Sequence, residues 1–319
     1  MERSRTGLVA DIGRQSVRFA LSDGDGELAP REVRSFLASE HSTFTAALMA
    51  YLDGVGLRNI AIPAVLAVAG MARGDIINLT GSRWFISLSG VEAVLGTRPR
   101  ALNECAASAL ALSSLPTSAF RALDKHPVRP VTAGGSYLIV NIGTGLGVAG
   151  LVTGPDGRLV PVQSEGGHMA FAPGSACEER FAARIKVGGR IASAETLLSA
   201  AGLVAAYAAL AEGGKTVANP EDVTKSIRHD AVAARVVEMF IGYLGAFVGD
   251  LVLAFGAWDG VYLGGAIPRA LQVSLSESAF RQRLTAKGAF HRQLSEVPVA
   301  IVGRSDLVLL GAAAALSDD

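Results

Sequence analysis

The chain has 319 residues, which is long for one domain and enough for two domains with separate cores. Half of the residues are hydrophobic, 18% are charged, and 29 Lys and Arg balance 29 Asp and Glu. A net charge of zero argues against nucleic acid as a partner, because polyanion-binding proteins carry excess positive charge. The two cysteines cannot build a disulfide framework and the start of the chain shows no signal-peptide pattern, so we expect a cytoplasmic protein.

The first half opens with a predicted β-hairpin over residues 8–21. An apolar run leads into Asp-Ile-Gly at 11–13, and a bend then leads into a second apolar run. Strands, then a helix, then further strands indicate an α/β unit with a mixed sheet. The later elements are predicted as a strand over 27–37, a helix over 42–52, a strand over 60–69, an outer strand over 74–80, a helix over 90–95, a strand ending at Leu102 and a helix from Asn103 to about Ser113.

The second half repeats the opening pattern. Residues 138–151 again show an apolar run, a polar residue (Asn141), Ile-Gly, a glycine-rich bend and a return strand. Glycines at such a bend let backbone N–H groups approach an anion, although a purely structural hairpin explains one copy equally well. Two copies predict a duplicated fold whose halves face each other across a cleft. An anion such as ATP phosphate could be held from both sides.

The rest of the second half is predicted to be mostly helical. Its most hydrophobic stretch, 231–257, carries Arg235, Glu238 and Asp250, which favours a buried helix over a membrane span. Residues 115–135 contain three prolines and are predicted to connect the domains, so we expect domains at 1–113 with 306–319 and at 114–305. The other elements are predicted as a strand over 159–162, helices over 176–255, a strand over 260–265, a strand over 297–302 and a C-terminal helix over 306–316 that packs on the first domain.

Three polar groups are candidates for chemistry, each with a simpler alternative. Asn103 and Glu104 stand at a strand-to-helix junction, where an acid is also favoured by the helix dipole alone. Glu165 and His168 flank two glycines on a tight turn and could converge on a polyol, or could be a plain surface turn. Glu195 follows a Ser that could cap a helix, which accounts for the acid without a function.

The order of the motifs resembles the bacterial glucokinase family, ATP-dependent sugar kinases of the actin/hexokinase superfamily. The resemblance extends over nearly the whole chain and implies a two-domain actin-like ATPase (ribonuclease H-like) α/β fold. In that fold a βββαβαβα core is duplicated, with a five-stranded sheet in each domain and a cleft between the domains. The motifs are Asp-Ile-Gly from Asp11, Leu-Asn at Asn103, Gly-Thr-Gly-Leu-Gly from Gly143, Glu-Gly-Gly-His from Glu165, Ser-x-Glu at Glu195 and Gly-Gly-x-x-Pro-Arg from Gly264.

The resemblance also implies roles for individual residues. The hexose hydroxyls would be bound by Asn103, Glu165, His168 and Glu195, and Glu104 would be the catalytic base. Mg²⁺ would be held at Asp11. The nucleotide would contact Asp11, Ile12, Gly13, Arg14, Gln15, Gly143, Thr144, Gly145, Gly264 and Gly265. A homodimer is the expectation for the family.

The chain departs from the family pattern in two motifs. In the first phosphate loop, Arg14 and Gln15 stand where the family has Gly and Thr. Arg14 could obstruct phosphate, since it adopts positive φ less easily than glycine and adds bulk where phosphate should approach, or could pair with phosphate oxygens. At the catalytic base, Glu104 replaces the family's Asp and is longer by one methylene. The predicted function is phosphorylation of a hexose, with D-glucose as the default substrate. The alternative is a weakened kinase-like protein that binds or senses sugar.

Overall fold

A computed structural model describes residues 6–23, 29–71, 74–79, 82, 84–185, 188, 191–211, 216–276 and 279–317. The chain forms two compact units. Unit 1 comprises Met1–Leu115 together with Asp306–Asp319, and unit 2 comprises Pro116–Ser305. The sequence had placed the first boundary after residue 113, whereas the structure places it after Leu115.

Unit 1 is built on a mixed sheet with helices. Its elements are β1 (Thr6–Ile12), β2 (Ser16–Asp23), β3 (Arg31–Leu37), α1 (Phe44–Gly54), β4 (Ala64–Val68), β5 (Ile76–Asn78), β6 (Phe85–Ser87), α2 (Leu88–Leu95), β7 (Arg100–Asn103) and α3 (Glu104–Ala111). Five strands of the described residues form the sheet in the order β3-β2-β1-β4-β7. The strands β1, β4 and β7 are parallel, while β2 and β3 are antiparallel to their neighbours.

Unit 2 repeats this plan with a larger set of helices. Its elements are β8 (Phe120–Ala122), β9 (Ser136–Ile142), β10 (Leu146–Thr153), β11 (Leu159–Ser164), α4 (Ala176–Arg184), α5 (Ala194–Leu197), α6 (Ala200–Leu210), α7 (Pro220–Ser226), α8 (Ala231–Phe255), β12 (Gly260–Gly264), α9 (Ala266–Ala270), α10 (Gln272–Ser276), α11 (Phe280–Thr285), α12 (His291–Ser295) and β13 (Val299–Val302). The sheet order is β11-β10-β9-β12-β13-β8, with β9, β12 and β13 parallel. Apart from β8, the strands correspond one to one with those of unit 1, because β11-β10-β9-β12-β13 has the same connectivity as β3-β2-β1-β4-β7. The predicted duplication is therefore present.

The strand β8 corrects the sequence interpretation in two respects. It lies within the segment predicted as a connection, and it adds a sixth strand to a sheet expected to have five. The strand pairs antiparallel with β13, and the ring of Phe120 packs on Tyr262 at a centroid distance of 5.0 Å. Three residues are too few to show a period of two, so the pairing is decided by the neighbouring strand and not by local pattern.

Two other strands are shorter than predicted. The strand expected over 60–69 runs only from Ala64 to Val68, because Pro63 has no N–H to donate to a sheet. The strand expected from residue 27 begins at Arg31, and residues 24–28 lie outside the described part of the chain.

The C-terminal helix α13 (Leu307–Ser317) packs on unit 1, against α3, β1 and β4. The contact with α3 is close: a Cβ on Gly311 would lie 1.6 Å from the Ala107 carbonyl oxygen. Only glycine permits the two backbones to approach this far. The helix that ends the second half of the chain therefore completes the first unit.

Helix α8 forms the core of unit 2. Its length and composition would also suit a membrane span, but 78% of its most apolar window is buried inside the protein. The sequence predicted such a buried helix. Its buried side chains pack against the sheet and the surrounding helices, which is the usual environment of a core helix.

Candidate active site

In unit 1 the predicted site residues meet at one edge of the sheet. Ile12 pairs with Val68, and Val68 pairs with Asn103, so the three parallel strands end side by side. The N–H of Ala69 donates to the Ile12 carbonyl at 2.9 Å and continues this alignment. Asp11 near the end of β1, Gly70 after β4 and Glu104 at the start of α3 thus lie at the same edge, which is where ligands bind in open α/β sheets.

Asp11 is held by an arginine that the sequence analysis missed. The side chain of Arg18 donates to one carboxylate oxygen of Asp11, from Nη2 at 2.6 Å and from Nε at 3.0 Å. The two residues are direct partners across the β1–β2 hairpin. The sequence could have indicated this pair, because Asp11 and Arg18 lie equally far from the bend of the predicted hairpin and oppositely charged residues often face each other across such strands.

The bend between β1 and β2 is an ordinary turn. Gly13 N–H donates to the Ser16 carbonyl at 2.9 Å, and the side chains of Arg14 and Gln15 are exposed. Among the described non-glycine residues, only Glu32 and Asn59 have positive φ. Arg14 therefore occupies its position without the strain of a positive φ.

Glu104 is the first residue of α3, and its carboxylate is held by hydrogen bonds. Its Oε2 accepts from Asn103 Nδ2 at 3.1 Å and from Gly70 N–H at 3.3 Å. Gly70 shares that N–H with the Val68 carbonyl at 2.9 Å and has a φ of 148°. The helix N-terminus is also a favourable place for a carboxylate. The two donors hold the Oε2 atom at a fixed position.

Asn103 is only 4% exposed and makes four hydrogen bonds through its side-chain amide. Its Oδ1 caps α3 by accepting from the N–H groups of Cys105 at 2.8 Å and Ala106 at 3.2 Å. Its Nδ2 donates to the Gly70 carbonyl and to Glu104, each at 3.1 Å. A side-chain amide has two donor hydrogens and two acceptor lone pairs, so this set uses the whole capacity.

In unit 2 the glycine-rich turn joins β9 to β10. Gly143 N–H donates to the Gly145 carbonyl at 3.0 Å, and the Gly143 carbonyl accepts from Ala200 at 2.8 Å. Neither glycine has positive φ. The bend therefore does not depend on the positive φ that glycine permits, contrary to the expectation from the sequence. A Cβ on Gly143 would meet no atom within 4 Å, which leaves the backbone open to a ligand.

Glu195 lies against this same turn. Its Oε2 accepts from Leu146 N–H at 2.8 Å, and a Cβ on Gly145 would lie 2.7 Å from that oxygen. A side chain at position 145 would displace the Glu195 carboxylate from its present place. Ser193 begins α5 with a capping box to Thr196, as the sequence alternative proposed. The capping box explains where the helix starts. It does not explain the hydrogen bond between Glu195 and the glycine-rich turn.

The pair Gly264-Gly265 borders the turn from the neighbouring strand. Gly264, at the end of β12, pairs with Asn141 at the end of β9. Gly265 has a φ of 95°, and a Cβ there would lie 2.1 Å from the Ile142 carbonyl oxygen. Glycine is required at position 265 because the positive φ disfavours other residues and because a Cβ would collide with the backbone of Ile142. The Gly264-Gly265 loop and the glycine-rich turn thus lie side by side.

Glu165 and His168 lie on a short 3-10 turn that packs beside the same loop. A Cβ on Gly167 would lie 2.0 Å from the Leu146 carbonyl oxygen, so the turn sits directly on the start of β10. The following residues join the Glu195 segment, since Ala194 N–H donates to the Met169 carbonyl at 2.8 Å. The side chains of Glu165 and His168 are exposed. Unit 2 thus gathers Glu165, His168 and Glu195 around the glycine turn.

Two sheets of the same strand order, each with a turn and acidic residues at its ligand-binding edge, define the class of actin-like ATPase folds to which sugar kinases belong. A family model described as Glucokinase matches residues 8–319. The chain belongs to the glucokinase family and is a hexose kinase that uses ATP.

Known relatives support this assignment. The glucokinase of Xanthomonas campestris pv. campestris (strain B100) is 37% identical over 98% of this chain and 95% of its own length. A solved glucokinase from an Antarctic psychrotroph has 27% identity and a TM-score of 0.83, covering 99% of both chains. The glucokinase of Balamuthia mandrillaris, solved in complex with glucose, has 19% identity and a TM-score of 0.80 over 99% of this chain and 94% of its own.

Proposed function

We propose that this chain transfers the γ-phosphoryl group of ATP to the 6-hydroxyl of glucose, with Glu104 as the general base. The observation that carries the proposal is the carboxylate of Glu104, fixed at the start of α3 by Asn103 and Gly70. A general base must stand within about 2.6–3.2 Å of the proton it removes, so a held acid is more effective than a mobile one. Glucose is the sugar found with the Balamuthia mandrillaris relative.

The hexose hydroxyls require fixed donors and acceptors, and unit 2 offers three. Glu165 and His168 are exposed and come from one turn, while Glu195 is anchored by the Leu146 N–H. Together they provide carboxylate acceptors and an imidazole with a donor and an acceptor. A site built on hydrogen bonds to hydroxyls rejects sugars that lack them, because its polar groups then stay unpaired.

The nucleotide would use the glycine turns. The open backbone at Gly143 suits close approach of phosphate oxygens, with Thr144 and Gly145 beside it, and Gly264-Gly265 borders the same loop. On unit 1, the turn from Ile12 to Gln15 exposes the cationic side chain of Arg14, which suits an anion.

Magnesium fits this arrangement as a partner of the nucleotide. The described residues contain no group of three or more His, Cys, Asp or Glu that could hold an ion by themselves. Asp11 offers a carboxylate, and Mg²⁺ is commonly bound through one or two carboxylates plus substrate phosphates. When bound, Mg²⁺ neutralises the charge on the phosphate oxygens. Asp11 is our candidate for that contact, with Arg18 fixing the orientation of its side chain.

The test is a coupled assay of ADP release with a panel of hexoses, each measured with and without Mg²⁺. We expect the highest kcat/KM for glucose and dependence on the metal. Little turnover with any hexose, under conditions where glucose binds by calorimetry, would support the alternative of a weakened sugar-binding protein. Among the residues that the structure describes, no contact favours that alternative.

Two further expectations concern the protein in solution. A homodimer is expected from the family, and light scattering on the purified protein would establish the assembly. A cytoplasmic location agrees with the burial of helix α8 inside unit 2, and fractionation of cells that express the protein would test it.

A further inference from the structure

We propose that unit 2 has a second ligand site, separate from the candidate active site, which binds a small organic anion that carries hydroxyl groups. The site is a cavity of about 540 Å³, and its walls come from residues within the segments 124–126, 281–285 and 291–296. Pockets that bind small molecules commonly have volumes of about 300–1,000 Å³, so a molecule of the size of a sugar phosphate or sugar acid fits. All of the lining residues belong to unit 2.

The cavity lies at the opposite edge of the sheet from the glycine-rich turn. Leu123 N–H donates to the carbonyl of Val299, the first residue of β13, at 2.9 Å, so the segment that follows β8 lies beside the start of β13. The strands β9, β12 and β13 are parallel, and the glycine-rich turn follows the end of β9. A ligand in the cavity would therefore bind apart from the glycine loops.

The walls of the cavity are joined by one ion pair. The Asp124 carboxylate accepts from Arg281 Nε at 2.7 Å, and Arg281 Nη2 is paired with the same oxygen. Arg281 Nη1 donates to the carbonyls of Val297 at 2.9 Å and Leu294 at 3.4 Å. Burial would raise the pKa of Asp124, but hydrogen bonds from His126 and Arg281 hold it below its usual range. The carboxylate and the guanidinium thus neutralise each other and connect three parts of the wall.

Two histidines of the cavity have their Nδ1 atoms occupied. His126 Nδ1 lies 2.8 Å from a carboxylate oxygen of Asp124, and His291 Nδ1 lies 3.0 Å from the Thr285 carbonyl oxygen. An ionised carboxylate and a carbonyl are acceptors only, so Nδ1 carries the hydrogen in both rings. Each ring keeps Nε2 for another partner, as an acceptor from a hydroxyl when neutral or as a donor to an anion when protonated.

The other available polar groups favour an anion with hydroxyls over a metal or a cation. Among the described residues, the side chains of Lys125, Gln282 and Glu296 line the cavity without a hydrogen-bond or ion-pair partner. Lys125 and Glu296 carry opposite charges, and the two imidazoles add positive charge when protonated. The described His, Cys, Asp and Glu side chains form no group of three that could hold a metal ion. The ammonium and the imidazoles can donate to phosphate or carboxylate oxygens, while the amide and Glu296 can bond hydroxyls.

The test follows the histidine side chains by nuclear magnetic resonance. The chain has five histidines, so each imidazole signal can be assigned with a single His→Gln variant. Protein saturated with glucose, without ATP, is titrated with glucose 6-phosphate, gluconate or inorganic phosphate. We expect glucose 6-phosphate or gluconate to move the signals of His126 and His291, and those of His41 and His229 to stay. The comparison of the two sugar anions shows whether the site takes phosphate or carboxylate.

Two outcomes of this titration would overturn the proposal. The first is that neither sugar anion moves the signals of His126 and His291 at millimolar concentration. The second is that inorganic phosphate binds as tightly as glucose 6-phosphate, because the hydroxyls would then contribute nothing. The signal of His168 reports separately on the candidate active site. The measurement involves no phosphate transfer, so a failure of the proposed kinase function would leave its result unaffected.

A lysine variant tests the contribution of the cavity to affinity. Lys125→Ala should weaken binding of the sugar anion about tenfold by calorimetry, in line with the loss of one charge-assisted hydrogen bond. Lys225→Ala is the matched control, since Lys225 is an exposed lysine of unit 2 on α7 that does not line the cavity. Equal affinity in Lys125→Ala and the wild type would place the anion elsewhere and contradict the proposal.

Discussion

At the scale of single residues, Glu104 shows how a longer acid can be accommodated. With its extra methylene, the Glu104 carboxylate reaches two donors within unit 1, Gly70 N–H and Asn103 Nδ2. The sequence left open whether the surroundings had adjusted to a glutamate. On the basis of these contacts we predict that they have.

We predict that Glu104→Asp lowers kcat, because the shorter side chain cannot reach both donors. Glu104→Gln should lower kcat by about 10²–10⁴-fold, the usual contribution of a general base. Steady-state kinetics with glucose and ATP measure both effects, and calorimetric glucose affinity shows whether binding is retained. An aspartate variant faster than the wild type would mean that the site keeps the dimensions of the family's shorter acid. A glutamine variant with wild-type turnover would exclude Glu104 as the base.

At the scale of elements, the packing of α8 on α11 depends on glycines one turn apart. A Cβ on Gly245 would lie 2.2 Å from the Phe280 carbonyl oxygen, and a Cβ on Gly249 would lie 2.4 Å from that of Leu284. These are contacts with backbone, which cannot move aside as a side-chain end can. Gly242, on the same helix, has only ordinary contacts, the nearest at 3.9 Å from Arg283.

We predict opposite effects for two alanine substitutions in this helix. Gly242→Ala should be neutral or should raise the free energy of unfolding by up to about 1 kcal/mol, the difference in helix propensity. Gly245→Ala should lower it by about 1–3 kcal/mol, because overpacking forces the helices apart. Denaturant unfolding of the two variants beside the wild type measures both. Similar stability for the two variants would show that the close contact does not constrain the helices.

At the scale of the whole molecule, sugar binding and stability are linked. A ligand that binds only the folded protein stabilises it by mass action, by about 2.7 kcal/mol at a hundred times its dissociation constant. The residues proposed to bind hydroxyls in unit 2 are already held in place by the glycine turn and the neighbouring segment. Glucose should therefore raise the melting temperature without ATP.

His168→Ala should remove most of this shift in melting temperature, because a buried hydroxyl of the bound sugar would lose its hydrogen-bond partner. His229→Ala is the matched control, since His229 is another exposed histidine of unit 2, remote in sequence from the turn. Thermal melts of the three proteins, with and without saturating glucose, provide the measurement. An undiminished shift in His168→Ala would place the sugar contacts elsewhere, and no shift in the wild type would argue against glucose as the ligand.

The local pattern of the sequence was sufficient for the elements that carry the site. The β1–β2 and β9–β10 hairpins were predicted because two continuous apolar runs flank a bend of small and polar residues. The start of α3 at Asn103 and Glu104 was predicted from capping preferences, and Oδ1 of Asn103 does cap that helix. Repetition of one pattern in two halves predicted the duplicated fold.

Only the tertiary structure decided how these elements are joined. Glu195 reaches the N–H of Leu146, 49 positions earlier in the chain, and no local period encodes such a contact. Gly265 is required because its Cα lies against Ile142, a residue more than a hundred positions away. The strand β8 exists because β13 offers it an edge. Such contacts depend on which surfaces meet after folding, whereas a sequence pattern reports which face of each element is buried.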